Sequence, residues 1–264
     1  MVMVRKIFLL FFFTYTLASC SKPKLDSLIK DDSFTYDRLQ MGHLLIALPV
    51  KNAEVISQHI ASLNSSELRQ VTARTTELLR EERERLKIKP IYAHKRNNSK
   101  ILKGIQAAFT ENKDLTEKDF DLLARTFMKF PDPYRYMLIL RIAGEKNWQD
   151  YKKYTTTETK QKKNNDGEKI DISENYQHND YYSYRKVDVN GIIVDLKRKT
   201  VVWDGLSNHT AYNANKNRRK IGDNSFIINV NQSNSTAYPS YPGVNETLYV
   251  AIEKIAVNLP DDED

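Results

Sequence analysis

The feature that constrains this chain first is its longest apolar run, Ile7 to Leu17. A helix that crosses a bilayer needs about 20 such residues, so this run falls short and a polytopic helical membrane fold does not fit. Arg5 and Lys6 precede the run and the small residues Ala18 and Ser19 follow it, the charged, apolar, small order of a secretory signal. The two cations stay with the cytoplasmic phosphates while the short apolar helix enters the translocon. Residues 1–19 are therefore expected to be removed on export, and what folds is the remainder. Hydrophobic residues make up 40% of the 264 and charged ones 28%, with eight Gly and eight Pro. That is enough apolar material for a sizeable core and too much for global disorder. A single Cys excludes a disulfide scaffold.

Leu17-Ala18-Ser19-Cys20 resembles the lipobox of bacterial lipoproteins. The resemblance implies that the Cys20 thiol carries a diacylglycerol, that the signal is cut just before it and that the new amino terminus is acylated. Cys20 is the one Cys in the chain, and an unpaired thiol in an exported protein otherwise invites oxidation. Three acyl chains, at about 0.8 kcal/mol per buried methylene, exceed what stable anchoring needs. In the lipoproteins this segment resembles, a Ser such as Ser21 after the Cys marks the outer membrane, so residence on its periplasmic face is expected. An inner-membrane lipoprotein and a secreted protein are the alternatives, the latter on the strength of six Asn-x-Ser/Thr tripeptides at Asn64, Asn97, Asn208, Asn231, Asn234 and Asn245. Residues 20–37 are polar, basic and without periodicity, which reads as a flexible tether. Without the signal the chain keeps 39 cations against 34 anions, a net +5. Such an excess speaks to solubility more than to a ligand, and nucleic acid is not an expected partner outside the cytoplasm.

Residues 38–260 read as one α/β (α+β) domain. Gly42 to Val50 is a near-continuous apolar run of strand length, consistent with a strand covered on both faces. Val55, Ile56, His59, Ile60 and Leu63 share one helical face. After Ser65-Ser66, which can cap, Leu68, Val71, Thr75, Leu78, Leu79 and Leu86 continue at helical spacing until Pro90. Arg80 to Arg85 is expected on the solvated face of that helix. Ile101, Leu102, Ile105, Ala108 and Phe109 outline a third helix. Thr116-Glu-Lys-Asp119 is a capping-box pattern opening a fourth, with Phe120, Leu123, Phe127 and Phe130 inward. Tyr136 to Ala143 is the clearest strand and is expected to be central. Residues 152–182 turn polar and repetitive, which predicts a long mobile insertion. Lys186 to Leu196 and Thr200 to Leu206 predict a hairpin tipped by Lys197-Arg-Lys199. Asn213 to Lys220 reads as a polar loop, Ser225 to Val230 as a possible strand, and Leu248 to Leu259 as a last amphipathic helix before the acidic tail 261–264. The expected fold is thus a mixed, partly antiparallel sheet with helices packed on at least one face and long polar loops.

Within this pattern, Val189-Asn-Gly-Ile-Ile-Val-Asp195 leading into Thr200-Val-Val-Trp-Asp-Gly205, together with the lipobox, resembles small envelope lipoproteins of the curli secretion and penicillin-binding protein activator type. The resemblance covers about Tyr136 to Leu206. It implies that the Trp strand belongs to a structural hairpin of a small α/β domain and that no catalytic residue sits on it. Here Lys197-Arg-Lys199 replaces the usual Thr-Gly turn, and the Asn-rich segments are longer.

Motifs for chemistry are absent: there is no His-Glu-x-x-His, Cys-x-x-Cys, Gly-x-Ser-x-Gly, phosphate-binding loop or dinucleotide fingerprint. The five His residues, His43, His59, His94, His178 and His209, stand at no ligand spacing. No catalytic, cofactor or metal residue is assigned, and Cys20 is the one candidate site, for lipid. Tyr176, Tyr181, Tyr182, Tyr184, Tyr212, Tyr238 and Tyr241 concentrate in polar segments, where they could stack on sugars or a partner protein; covering the sheet edge and core rim is the expected role for most. Trp148 and Trp203 are expected as packing anchors. The sequence therefore points to a non-catalytic envelope lipoprotein that contacts other envelope proteins, with a cell-wall hydrolase or a glycan-binding lipoprotein as the alternative.

Overall fold

The computed structural model describes residues 23–47, 49–51, 64–83, 85–93, 115–128, 133–222 and 237–261. Cys20, the helices expected around Val55 to Leu63 and Ile101 to Phe109, and the strand expected at Ser225 to Val230 lie outside them. In chain order the elements are β1 (Ser27–Lys30), α1 (Tyr36–Gly42), β2 (Leu44–Ile46), β3 (Val50–Lys51), α2 (Ser65–Glu82), β4 (Ile88–Pro90), α3 (Glu117–Phe127), β5 (Tyr136–Lys163), β6 (Lys169–Asp195), β7 (Thr200–Lys220) and α4 (Val244–Val257). The fold is α/β, as expected. Its one mixed sheet runs β1-β7-β6-β5-β2-β4, with β3 beside β5. β5, β6, β7 and β1 pair antiparallel, while β2 and β3 run parallel to β5, and β4 runs parallel to β2.

Helices cover both faces of one half of this sheet. Leu68, Val71 and Leu79 of α2 and Leu248, Ile252 and Ile255 of α4 bury against Leu138, Leu140, Val187, Val189 and Trp203. On the opposite face Phe120, Leu123 and Phe127 of α3 meet Met137, Ile139, Ile192 and Val194. Tyr136 to Ile142, the first part of β5, is internal and apolar on both sides, as its sequence predicts. Trp203, fully buried, explains two glycines: a Cβ on Gly205 would lie 2.4 Å from its indole, and one on Gly191 would lie 2.8 Å from Ile255 and 3.1 Å from the indole. The local signals operate as written. The Thr116–Asp119 capping box is formed in both directions. The cap of α2, however, is Asn64, whose side chain accepts from Ser66 and Glu67 N–H and whose own N–H donates to the Glu67 carboxylate.

Six expectations are corrected. The insertion expected at 152–182 is the distal half of β5 and β6, joined by a tight turn in which Asn164 Oδ1 accepts from Asp166 and Glu168 N–H and Gly167 takes φ +83°. The polar loop expected at Asn213 to Lys220 is the distal half of β7. The tether expected over 20–37 is already part of the sheet at β1, whose Ser27 to Lys30 pair with Leu206 to Trp203. The solvated Arg80–Arg85 stretch is interrupted by Arg83, which is 4% exposed and donates to the carbonyls of Pro260, Leu259 and Val257 and to Asp261. The helix ends at Glu82, and Arg83 turns in to satisfy the last carbonyl of α4 at Val257 and those of Leu259 and Pro260 just after it. Pro90, expected to stop α2, lies in β4. Asp261 of the expected acidic tail is thereby buried as an ion partner.

Candidate interaction face

β5, β6 and β7 continue well past the helices. Beyond Ile142, the last β5 residue that β3 pairs with, β5 runs on for roughly 70 Å at about 3.3 Å per residue. In this three-stranded ribbon, rungs are Trp148–Tyr184–Tyr212, Asp150–Tyr182–Ala214, Lys152–Asp180–Lys216, Tyr154–His178–Arg218 and Thr156–Tyr176–Lys220. Because side chains alternate faces with a period of two, every one of these residues lies on one face. It is the face that carries Ile192 and Val194 nearer the core, on the α3 side.

That face is a sheet of rings. Trp148 stacks on Tyr184 at 5.0 Å with planes 6° apart, and Tyr184 and Tyr182 both meet Tyr212 at 5.7–5.8 Å. Further out Tyr154 stacks on His178 at 4.5 Å and 1°. Cations interleave: Lys146 lies over Trp148, Lys152 over Tyr182, and Lys160 and Arg218 over Tyr176, the last at 3.5 Å. Tyr154 and Tyr212 are 44% and 58% exposed, so the rings are displayed and not only packed. At the centre Asp180 is 1% exposed; its Oδ2 accepts from the hydroxyls of Tyr154 and Tyr182, each at 3.2 Å, and its Oδ1 has no hydrogen-bond partner. Desolvation first, then the bond to this carboxylate, raises both tyrosine pKa values. At the tip Glu174 accepts from Lys220, Tyr176 and Lys160, in that order of effect, and its carboxyl is lowered to about 2.

The opposite face is occupied near the core. Residues 237–243 run along it: Tyr238 meets Tyr181 edge-on at 5.2 Å, Ser183 donates to Pro239 O, and Arg185 donates to Pro242 O while pairing with buried Glu145. Asn213 and Asn215 donate to Ser240 O and Ala237 O. The Tyr cluster therefore divides by parity. Even-numbered Tyr176, Tyr182, Tyr184 and Tyr212 form the displayed face, whereas Tyr181 packs under Tyr238; neither group covers the sheet edge. Trp203 is the expected packing anchor, but Trp148 belongs to the ring face.

The buried carboxylates are dispersed, each with its own partners: Asp195 takes a bidentate fork from Arg135 and the N–H groups of Lys197 and Arg198 in the β6–β7 turn, Glu145 has Arg185, Asp261 has Arg83, and Asp180 has its tyrosines. His43 and His209 lie far apart in sequence and in different elements from His178, and no group of three metal-ligating side chains occurs among the described residues. The sequence singles out these tyrosines but places them in polar loops; the signal that joins them into one face is the strand period of the rings at positions 176, 178, 182 and 184.

No family model matches the chain, and no curated protein matches it. Among solved structures it is similar to two PelC dodecamers from Paraburkholderia phytofirmans, each at 11% identity and a TM-score of 0.36. These alignments cover 89% and 88% of this chain and 99% and 94% of the other. A hypothetical protein, CT253 from Chlamydia trachomatis, is similar at 10% identity and a TM-score of 0.34, over 64% of this chain and 72% of that one.

Proposed function

We propose that this protein is a non-catalytic lipoprotein, anchored through Cys20 to the periplasmic face of the outer membrane, whose domain serves as an interaction and assembly module for other envelope proteins. The observation that carries the reading is the ring face of the ribbon. Its middle strand β6 supplies Tyr176, His178, Tyr182 and Tyr184, and the flanking strands supply Lys146, Lys152, Lys160, Lys216, Arg218 and Lys220. An aromatic centre inside a charged rim is the anatomy of a protein interface, where rings give area at little entropy cost and the rim sets orientation. The same cations sit on the two outer strands, where they discourage pairing of the ribbon edges with other strands. Contact is therefore through the face, on which Glu158 and Glu174 pair with Arg218, Lys160 and Lys220, and a partner with acidic groups near Lys146, Lys152 and Lys216 is complementary to it. An anchor that confines the domain to one membrane raises its effective concentration for such partners.

Two experiments test this. A photo-reactive residue placed at Tyr154 or Tyr212 in living cells is expected to capture the same envelope protein, and one at Thr157 on the opposite face is not; equal capture from all three positions, or none from the first two, removes the reading. Growth with labelled palmitate is expected to label the protein but not its Cys20→Ala variant. Equal labelling of both, or of neither, removes the anchor.

A further inference from the structure

Away from the ribbon, the parallel strands β2, β4 and β5 begin side by side, with Leu44 level with both Ile88 and Tyr136. The residues just before them, His43, Lys87 and Tyr134, converge on a cavity of about 530 Å³ that Arg80, Leu86 and Lys89 complete. That volume lies in the range of small-molecule sites. Its charged lining is cationic throughout: Arg80, Lys87 and Lys89 face it, and no carboxylate does among the described residues. Arg80 is fixed at the wall by a 2.8 Å bond from Nη2 to Ile88 O.

His43 is the unusual member. It ends α1 with φ +54° and ψ 151°, a conformation that suits glycine and costs an L-residue of order 1–3 kcal/mol. Backbone bonds on both sides enforce it: Leu44 N–H donates to Lys87 O, Arg135 N–H to Gly42 O, and Tyr136 N–H to His43 O. A glycine at this helix end would serve the chain better, yet the position holds an imidazole whose Nδ1 is buried and has no hydrogen-bond partner. In the tautomer that places the ring hydrogen on Nδ1, this atom is a buried donor without an acceptor.

We propose that this cavity binds a phosphate ester, with His43 Nδ1–H, Arg80, Lys87 and Lys89 donating to its oxygens and Leu86 and the Tyr134 ring packing on its apolar part. Charge-assisted bonds of this kind are the strong ones, and a phosphate offers enough acceptors for all four donors. The inference is independent of the ribbon and of the anchor. It accounts together for the strain, the unpaired nitrogen and the charge of the lining.

The test is titration of the full chain with phenyl phosphate, followed by the His43 imidazole resonances, beside a vesicle arm with phosphatidylglycerol. Saturable shifts are expected with phenyl phosphate. Lys87→Ala and Lys89→Ala, both at partly or fully exposed positions and therefore compatible with folding, are each expected to weaken binding about tenfold. His43→Gly is expected to bind about tenfold more weakly while its Tm rises, because the glycine removes the strain together with the donor. Vesicle binding that depends on Lys87 and Lys89, without binding of phenyl phosphate, assigns the phosphate to a lipid headgroup. Absence of saturable binding in both arms, or variants that bind as the parent does, overturns the proposal.

Discussion

The two halves of the same three strands are held by different physics. Near the helices β5 and β6 bury Leu138, Leu140, Val189 and Ile193 at 2% exposure or less, and Trp203 of β7 fills the space over Gly191 and Gly205. Beyond Gly144 the strands carry rings, hydroxyls and charges, and cross-strand pairs replace the core. Apolar burial is non-directional and cooperative over the whole helix-covered half. Cross-strand pairs contribute roughly 0.2–1 kcal/mol each and act only on neighbours. Long strands therefore do not imply one uniform stability: the covered half sets the global free energy, and the ribbon is a local addition to it.

The sharpest way to break this contrast is to remove the largest core side chain. Trp203→Ala is expected to cost about 3–5 kcal/mol, since the indole is fully buried and Gly191 of β6 and Gly205 of β7, which have no side chains, leave nothing to collapse into its place. Urea unfolding monitored by far-UV circular dichroism measures it. A loss under about 1 kcal/mol, the scale of a surface change, would contradict the division.

A smaller effect separates the halves directly, because each contains one of the two Trp residues. In a Trp203→Phe background Trp148 becomes the reporter of the ribbon. Tyr184→Ala then removes the ring stacked on it at 5.0 Å and is expected to destabilise the ribbon by about 1 kcal/mol. The urea midpoint of Trp148 emission is expected to fall, while the far-UV midpoint of the helices stays in place. Equal shifts of both midpoints would show that ribbon and core unfold as one unit.

The contrast also explains what was legible in the sequence. The capping box at Thr116, the apolar strand from Tyr136, the hairpin around Asp195 and the helix ending near Leu259 were readable because each has a buried side, and burial writes periodicity into sequence. The distal strands write it only in the rings of β6, at positions 176, 178, 182 and 184, and not in β5 or β7. Thr155-Thr-Thr157 and Lys162-Lys-Asn-Asn165 look like loop, although β-branched Thr and ring-bearing Tyr are good strand residues and Asn164 to Gly167 is sound turn chemistry. Their structure comes from partners 14 to 28 residues away, such as Lys160 with Glu174 and Tyr151 with Asn179. The burial of Arg83 is illegible for a related reason: its partners are carbonyls 174 to 177 residues further along, and carbonyls leave no mark on sequence pattern. The cavity at His43 was equally silent, since it is assembled from the starts of three strands that are distant in the chain.

The smallest expected effect lies at the ribbon tip and depends on pH. Lys220, Tyr176 and Lys160 lower the Glu174 carboxyl from its ordinary 4.5 to about 2. A group whose pKa is lower folded than unfolded favours the folded state above its unfolded value, and that contribution is lost as pH falls towards the folded one. The tip should therefore hold its pairing at pH 5 and loosen progressively between about pH 4.5 and 2. Lys160 and Lys220 are well exposed, so screening keeps the effect small, and added salt should shrink it further. Amide exchange of Lys160, Glu174 and Lys220 reads it, with Met137 and Ile193 in the covered half as the internal reference. Tip amides are expected to lose protection across this interval more steeply than the reference, and Glu174→Gln should flatten their pH profile because the amide does not titrate. A tip whose profile is the same with Gln as with Glu would mean that the three-donor cluster does not hold the distal strands together.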